Sequence, residues 1–309
     1  MSLRIVFFGT PLSAVPSLER LVESGLEVIS AVTAPDKPQG RRRIVSESPV
    51  ASAARRLGLP CLKPVGMRDT MFREQIAELA PDLCVIVVFG RLIPADILSI
   101  PRKGFVNLHP SLLPLWRGPS PIQSSLLAGD AATGISIMLL DDEMDHGPIL
   151  AQQSVPIETL EHLPELTERL AHLGSSMLVS TIIDYADGTI VPTVQDHASA
   201  TYCKKFIRDD ARIDWSNDAR SIVNMIRAFS GEPTAWTMWN GTAVNIYRTA
   251  GTYPDGPAPA HVGVVQNDLV VGARNGAVRI SELQSAGRRK LPAPDFLKGS
   301  RSIIGSVLH

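Results

Sequence analysis

Apolar stretches long enough to cross a bilayer are missing from this 309-residue chain. Its longest runs, such as Leu83-Cys-Val-Ile-Val-Val-Phe89, fall far short of the roughly 20 residues a membrane helix needs. They are expected as buried parallel strands. Cysteine is scarce: Cys61, Cys84 and Cys203 are odd in number, widely spaced and without metal-ligand spacing. That excludes a disulfide scaffold and fits a reducing cytoplasm, with no bound metal. Met1-Ser-Leu-Arg4 leads straight into apolar Ile5-Val-Phe-Phe8, which leaves no space for an expected signal or transit segment. The net charge of −1 argues against a protein coated in positive charge for nucleic acid. Gly9-Thr10-Pro11 lacks the glycine pattern of a dinucleotide loop and reads as a tight strand-to-helix turn. No internal repeat and no low-complexity tract is present.

What remains is an ordinary globular composition, 44% hydrophobic and 20% charged, long enough for two domains. Strand-like runs at 4–8, 27–33, 60–62, 83–88 and 105–108 alternate with helical stretches at 12–24, 50–57 and 69–79. Such alternation predicts a doubly wound, mostly parallel α/β sheet. Residues 133–140 and 150–157 are expected as a hairpin-like pair. A long helix over 163–186 carries Leu166, Leu170, Leu173, Met177, Ile182 and Ile183 as its apolar stripe. Pro35–Ser48 holds proline, glycine and charge without periodicity, as a surface loop does. Periodicity fades again over 190–207, which is expected as a linker between a catalytic domain (1–189) and a C-terminal domain (208–309). The latter has a helix at 218–228, then short strands with Asn240-Gly241 and Asn275-Gly276 turns, the pattern of a small β-barrel. Residues 208–309 carry 12 Lys+Arg against 9 Asp+Glu, a balance of +3; residues 1–207 carry 18 against 22, a balance of −4.

The densest chemistry lies between Asn107 and Asp145. Strand alternation sends Asn107 and His109 to one face, and Pro110 ends the strand because it has no N–H for the ladder. An amide and an imidazole therefore emerge together at a strand end, where open α/β sheets bind substrates. Taken singly these residues are ordinary: Asn-x-His is more often structural, and Asp145, like Asp141 and Asp142, could be a turn carboxylate.

Asn107-x-His109-x-Ser111-Leu-Leu-Pro114 with Asp145 in an Asp-x-Gly context resembles the folate-dependent formyltransferases. The longer string Ser111-Leu-Leu-Pro-Leu-Trp-Arg-Gly-Pro-Ser-Pro-Ile-Gln123 is similar to the methionyl-tRNA formyltransferases in particular. Further matching stretches are Ala211-Arg-Ile-Asp-Trp-Ser216, Ile226-Arg-Ala-Phe229 and Gln284-Ser-Ala-Gly-Arg-Arg-Lys290, so the resemblance spans nearly the whole chain. It implies formyl transfer from 10-formyltetrahydrofolate to the amino group of initiator methionyl-tRNA. It implies a Rossmann-like catalytic domain and an oligonucleotide-binding-type barrel. Formyl transfer is acyl transfer: the developing oxyanion needs a donor (Asn107), the amine proton needs a manager (His109), and that group needs an orienting carboxylate (Asp145). Folate is expected along Val87, Val88, Phe89 and Gly90 and along Ser111, Leu112, Leu113 and Pro114. Arg41, Arg42 and Arg43 match a basic insertion that enters the acceptor stem, and Arg288, Arg289, Lys290 and Lys298 are expected phosphate contacts. The protein is expected to act as a monomer away from membranes. The alternative is a nucleotide-sugar N-formyltransferase with the same donor. The chain departs from the family pattern at Glu143, His146, Pro148 and 229–236.

Overall fold

The computed structural model describes residues 3–39, 44–252 and 261–309. The chain forms two compact units, neither continuous in sequence: Met1–Pro119, Gly134–Val155 and Thr167–Tyr202 make the first, and Ser120–Thr133, Pro156–Leu166 and Cys203–His309 the second.

In the first unit β1 (Arg4–Gly9) leads through a 3-10 turn into α1 (Val15–Glu23), and β2 (Glu27–Val32) returns to the sheet. The expected surface loop then contains a two-stranded ribbon, β3 (Lys37–Gln39) against β4 (Ile44–Ser46). Helix α2 (Pro49–Arg56) begins where the Ser48 hydroxyl accepts the Ala51 N–H at 3.0 Å. After β5 (Cys61–Leu62), Asp69 caps α3 (Thr70–Leu79) in the same way. Then come β6 (Leu83–Val87), the short α4 (Ala95–Leu98) and β7 (Phe105–His109). Past α5 (Pro121–Ala128) lie β8 (Ala132–Leu139), β9 (Ile149–Pro156) and the long α6 (Leu163–Ala186). The seven-stranded sheet runs β5-β2-β1-β6-β7-β8-β9. It is parallel from β5 to β7 and turns antiparallel at β8. Strands β6 and β7 are buried throughout, as their unbroken apolar runs require.

The stripe of α6 differs from the expected one. The buried line runs through Leu170, Gly174, Leu178 and Ile182, while Ile183 is exposed. Glycine sets this line, because a Cβ at 174 would stand 2.7 Å from the Leu108 side chain of β7. A register read from leucine and methionine alone misses it. The expected linker is also structured in part: Thr193 exchanges backbone hydrogen bonds with Ile149, and Tyr202 pairs with Arg117 in a parallel bridge.

The second unit is a barrel with helical additions. Helix α7 (Ala219–Ala228) is capped by Asp218, and β10 (Ala235–Trp239), β11 (Thr242–Thr252), β12 (Val270–Ala273) and β13 (Gly276–Ser285) form an antiparallel sheet ordered β10-β11-β13-β12. Strand β14 (Leu291–Pro292) pairs with β13 and leads into α8 (Ala293–Gly299). Two irregular stretches close the ring. Gly263 and Gly272 are joined by a backbone bond, Val265 and Ser306 by another, and His309 exchanges two with Met238 of β10. The core packs Trp215, Ile222, Ile226, Phe229, Ile246 and Phe296 together. Arg227 of α7 is buried too, and donates to the carbonyls of Glu158 and Glu161 at 3.0 and 2.9 Å.

Candidate active site

Strand β7 delivers Asn107 and His109 to the same face, as alternation predicts, and both are nearly buried, at 8% and 4% exposure. The β8–β9 turn brings Asp145 to meet them. Its Oδ1 lies 3.4 Å from Asn107 Nδ2 and 3.5 Å from His109 Nδ1, so three side chains separated by up to 38 residues converge on one point. Asp145 sits in the left-handed backbone region (φ 51°), which few residues other than glycine and Asn/Asp adopt. Gly147 explains the Asp-x-Gly pattern. A Cβ there would fall 2.0 Å from the Leu139 carbonyl oxygen, so only glycine lets the turn fold back onto the end of β8.

Backbone groups complete the site. The His109 Nε2 faces the Trp116 carbonyl oxygen at 3.1 Å, and the Gly118 N–H donates to Asp145 Oδ2 at 2.8 Å. Both ring nitrogens of His109 therefore face oxygen atoms, a backbone carbonyl on one side and a carboxylate on the other. Asp145 accepts from three directions, which leaves its carboxylate fixed in position. Asn107 has a second amide hydrogen beyond the one aimed at Asp145.

The segment 111–115 is held from below by a buried hydroxyl. Ser136 Oγ donates to the Ser111 carbonyl at 2.7 Å and accepts from the Leu113 N–H at 3.0 Å and from Gln152 Nε2 at 2.8 Å. Ser111 Oγ donates to the Leu115 carbonyl at 2.6 Å. Of the residues expected to line a folate slot, Val87, Phe89, Ser111 and Leu113 are buried and Leu112 and Pro114 half-buried. Phe89 packs edge-on against Phe8, their centroids 5.4 Å apart. Val88 and Gly90 are exposed and both have positive φ (46° and 72°). Thr10, in the turn after β1, accepts from the Ala34 N–H and so braces the neighbouring loop.

Four contributors escaped the sequence reading: the Trp116 carbonyl, the Gly118 N–H, Arg117 and Gln195. Gln195 Nε2 donates to the carbonyls of Asp145 (3.0 Å) and Gly147 (2.7 Å). It lies in the stretch without periodicity, where nothing in the sequence marked it. His146, an unusual residue at its position, stacks on His197 (3.9 Å, 7°) and bonds Asp141 at 2.7 Å, so the departure affects the turn's outer face.

Of the expected RNA contacts, Arg41, Arg42 and Arg43 lie outside the described residues. Arg288 and Arg289 are exposed just beyond β13. Lys290 is held by Glu282 at 2.8 Å over the Tyr247 ring, and Lys298 pairs with Asp295 at 2.7 Å. Among the described residues no cluster of His, Cys, Asp and Glu is placed to hold a metal, and no helix is long and apolar enough to cross a membrane.

Comparison with known proteins identifies the family. Residues 3–182 match the formyl transferase family model and 205–301 the model of the formyl transferase C-terminal domain. A methionyl-tRNA formyltransferase from a Roseiflexus species is 44% identical over 100% of this chain and 96% of its own length. The corresponding protein of Methylococcus capsulatus is 39% identical over 96% of each chain. Among solved structures, an N-formyltransferase from Helicobacter canadensis aligns with TM-score 0.68 at 18% identity, over 94% of this chain and all of that one. HypX from Aquifex aeolicus, in complex with tetrahydrofolic acid, aligns with TM-score 0.64 at 18% identity, over 96% of this chain and 47% of that one. These two share the fold. The full-length matches at about 40% identity and the two family models place the chain in the formyl transferase family, among the methionyl-tRNA formyltransferases.

Proposed function

We propose that the chain transfers the formyl group of 10-formyltetrahydrofolate to the amino group of methionyl-initiator-tRNA, for translation initiation in the cytoplasm. The observation that carries this reading is the convergence of Asn107, His109 and Asp145 at the end of β7, in a chain similar along its whole length to methionyl-tRNA formyltransferases. The amino nitrogen attacks the formyl carbon, and the carbonyl oxygen gains negative charge as the carbon becomes tetrahedral. Asn107 donates to that oxygen with its second amide hydrogen. His109, held by the Asp145 carboxylate, lies beside that oxygen and relays a proton to the folate nitrogen as the old C–N bond breaks. The proton lost by the attacking amine passes to Asp145, directly or through water. The folate is a co-substrate, consumed once per turnover, and no step here needs a metal.

Two separate recognition surfaces follow. The pterin reaches backbone groups of Val88 and Gly90 and the surface of Leu112 and Pro114, because Val87, Phe89, Ser111 and Leu113 are buried. The tRNA meets the Arg41-Arg-Arg43 insertion and a few cations of the barrel, with Arg288 and Arg289 the least encumbered. The decisive experiment gives the purified protein formyl-folate with charged initiator tRNA, uncharged tRNA or an amino sugar nucleotide. Formylation of the charged tRNA alone supports the proposal. Preference for the amino sugar overturns it in favour of a sugar N-formyltransferase.

A further inference from the structure

Arg117 is the largest fully buried side chain among the described residues, at 1% exposure. Its partners carry no negative charge. Gln195 Oε1 accepts from Nη2 at 2.8 Å and from Nε at 3.2 Å, His197 Nδ1 faces Nη2 at 2.8 Å, and the Tyr202 hydroxyl faces Nη1 at 3.4 Å. Burying a guanidinium without a carboxylate is costly, and an apolar side chain would fill the space at less expense. The arrangement therefore calls for a reason other than packing.

The neighbours supply one. Arg117 stands between the two backbone groups that hold the proposed catalytic pair: the Trp116 carbonyl on His109 and the Gly118 N–H on Asp145. Its main partner, Gln195, grips the carbonyls of Asp145 and Gly147 with its amide nitrogen. Trp116 (φ 59°) and Asp145 (φ 51°) both occupy the sparsely populated left-handed region, so each needs outside support to stay there. The backbone of Arg117 and Trp116 is tied to Thr201 through its carbonyl (2.9 Å) and hydroxyl (2.8 Å). One chain of contacts, centred on buried Arg117 and Gln195, thus links the 193–202 stretch, the Trp-Arg-Gly tripeptide and the Asp145 turn.

We propose that Arg117 and Gln195 act as a positioning pair for formyl transfer: Gln195 holds the Asp145 turn, Arg117 holds Gln195, and together they fix the distance between His109 and Asp145. This inference rests on the catalytic assignment of His109 and Asp145 made above. Neither residue touches the reacting atoms.

Gln195→Glu separates positioning from packing. It keeps an acceptor for Arg117, now as an ion pair, but turns an oxygen toward two carbonyls that had received hydrogen bonds. Gln195→Leu removes both contacts, and Arg117→Lys keeps the charge without the fork. The full-length variants are assayed for kcat, for KM of formyl-folate and for the pH profile of kcat/KM, with melting temperature recorded. Gln195→Glu is expected to lower kcat by about 10²-fold, the scale of a roughly 1 Å misplacement. The folate KM should change less than twofold, and the pH profile should shift because His109 and Asp145 no longer meet as before. Wild-type kcat in folded Gln195→Glu, or a lower kcat with an unshifted pH profile, would overturn the proposal. Should the Arg117 variant fail to fold, the two Gln195 variants decide alone. If Gln195→Glu is also too unstable to assay, a shift of the His109 ring ¹⁵N signals in Gln195→Leu is required, and its absence counts against the pair. His109→Ala and Asp145→Asn serve as controls: full turnover by those two would show that the catalytic assignment had failed, and not the positioning pair.

Discussion

Two buried histidines, one in each unit, show why burial alone says little about function. His109 and His162 are 4% and 2% exposed. His109 has oxygen atoms on both sides, a carbonyl and a carboxylate, at the centre of the proposed catalytic group. His162 has one of each. Its Nδ1 donates to the Leu160 carbonyl at 2.8 Å, and its Nε2 accepts from the Thr249 N–H at 3.4 Å. That pairing needs the neutral ring, and burial holds the His162 pKa below the ordinary value. The polarity of the partners separates the proposed catalytic histidine from a structural wedge.

The largest expected effect breaks the comparison on the His109 side. His109→Ala and Asp145→Ala should each lower kcat by roughly 10²-fold or more. The double variant should lose far less than the product of the two, as expected of groups that act together. Near-normal turnover by either single variant, measured with charged tRNA, would remove the replaced residue from the chemistry. Asn107→Ala should have an effect of comparable size, about 2.7–4 kcal/mol of lost transition-state stabilisation, the scale of one oxyanion donor. Its loss should fall on kcat and spare the folate KM.

On the His162 side the expectation is opposite. His162→Gln keeps a donor and an acceptor in similar places, so kcat should be unchanged. Stability should respond instead. Above the ordinary histidine pKa of 6.5 both folded and unfolded forms hold a neutral ring, and His162 contributes no pH dependence. Below it the unfolded chain takes up the proton first, so stability falls as pH falls. His162→Gln should flatten that acid-side slope in melting curves recorded from pH 8 to 5. An unchanged slope would show that other groups cause it.

The smallest effects concern the barrel cations. Arg288→Ala with Arg289→Ala should raise the tRNA KM and reduce its salt dependence, by roughly 0.7–0.9 in log–log slope for each phosphate no longer neutralised. Lys298→Ala should do less, since Asp295 already neutralises that charge. A larger effect from Lys298 would reverse this ranking.

Much of this could be read from the sequence, and the limits have physical causes. Unbroken apolar runs and helical periodicity marked β1, β6, α3 and α6 closely, because burial of a strand on both faces or of one helix face leaves local traces. The convergence of Asn107 and His109 followed from strand alternation. Gln195 could not be found that way: it works through a side-chain amide in a stretch with no repeat, and its targets lie about 50 residues earlier. Arg117 was visible only as one letter of a motif. Of the two stretches that close the barrel, 263–265 is expected from the sequence as a short strand, while 306–309 gives no such signal, since it makes only a few ladder bonds.

The interleaving of the two units constrains how such a protein can be cut or inherited. Helix α5 and residues 156–166 come before the 203 boundary, yet they belong with the barrel unit. There Leu127 packs on its core, and Arg227 binds the 158 and 161 carbonyls. A fragment ending near 207 would carry these pieces away from the surroundings that bury them, so a fall in its tRNA activity would mix absent docking with damage. A chimera joined at one crossover near 203 would face the same mismatch, with two parental histories meeting inside one hydrophobic core. Exchange of the barrel between relatives therefore requires three matched segments. The two halves of the molecule are expected to diverge in step, even though their tasks differ.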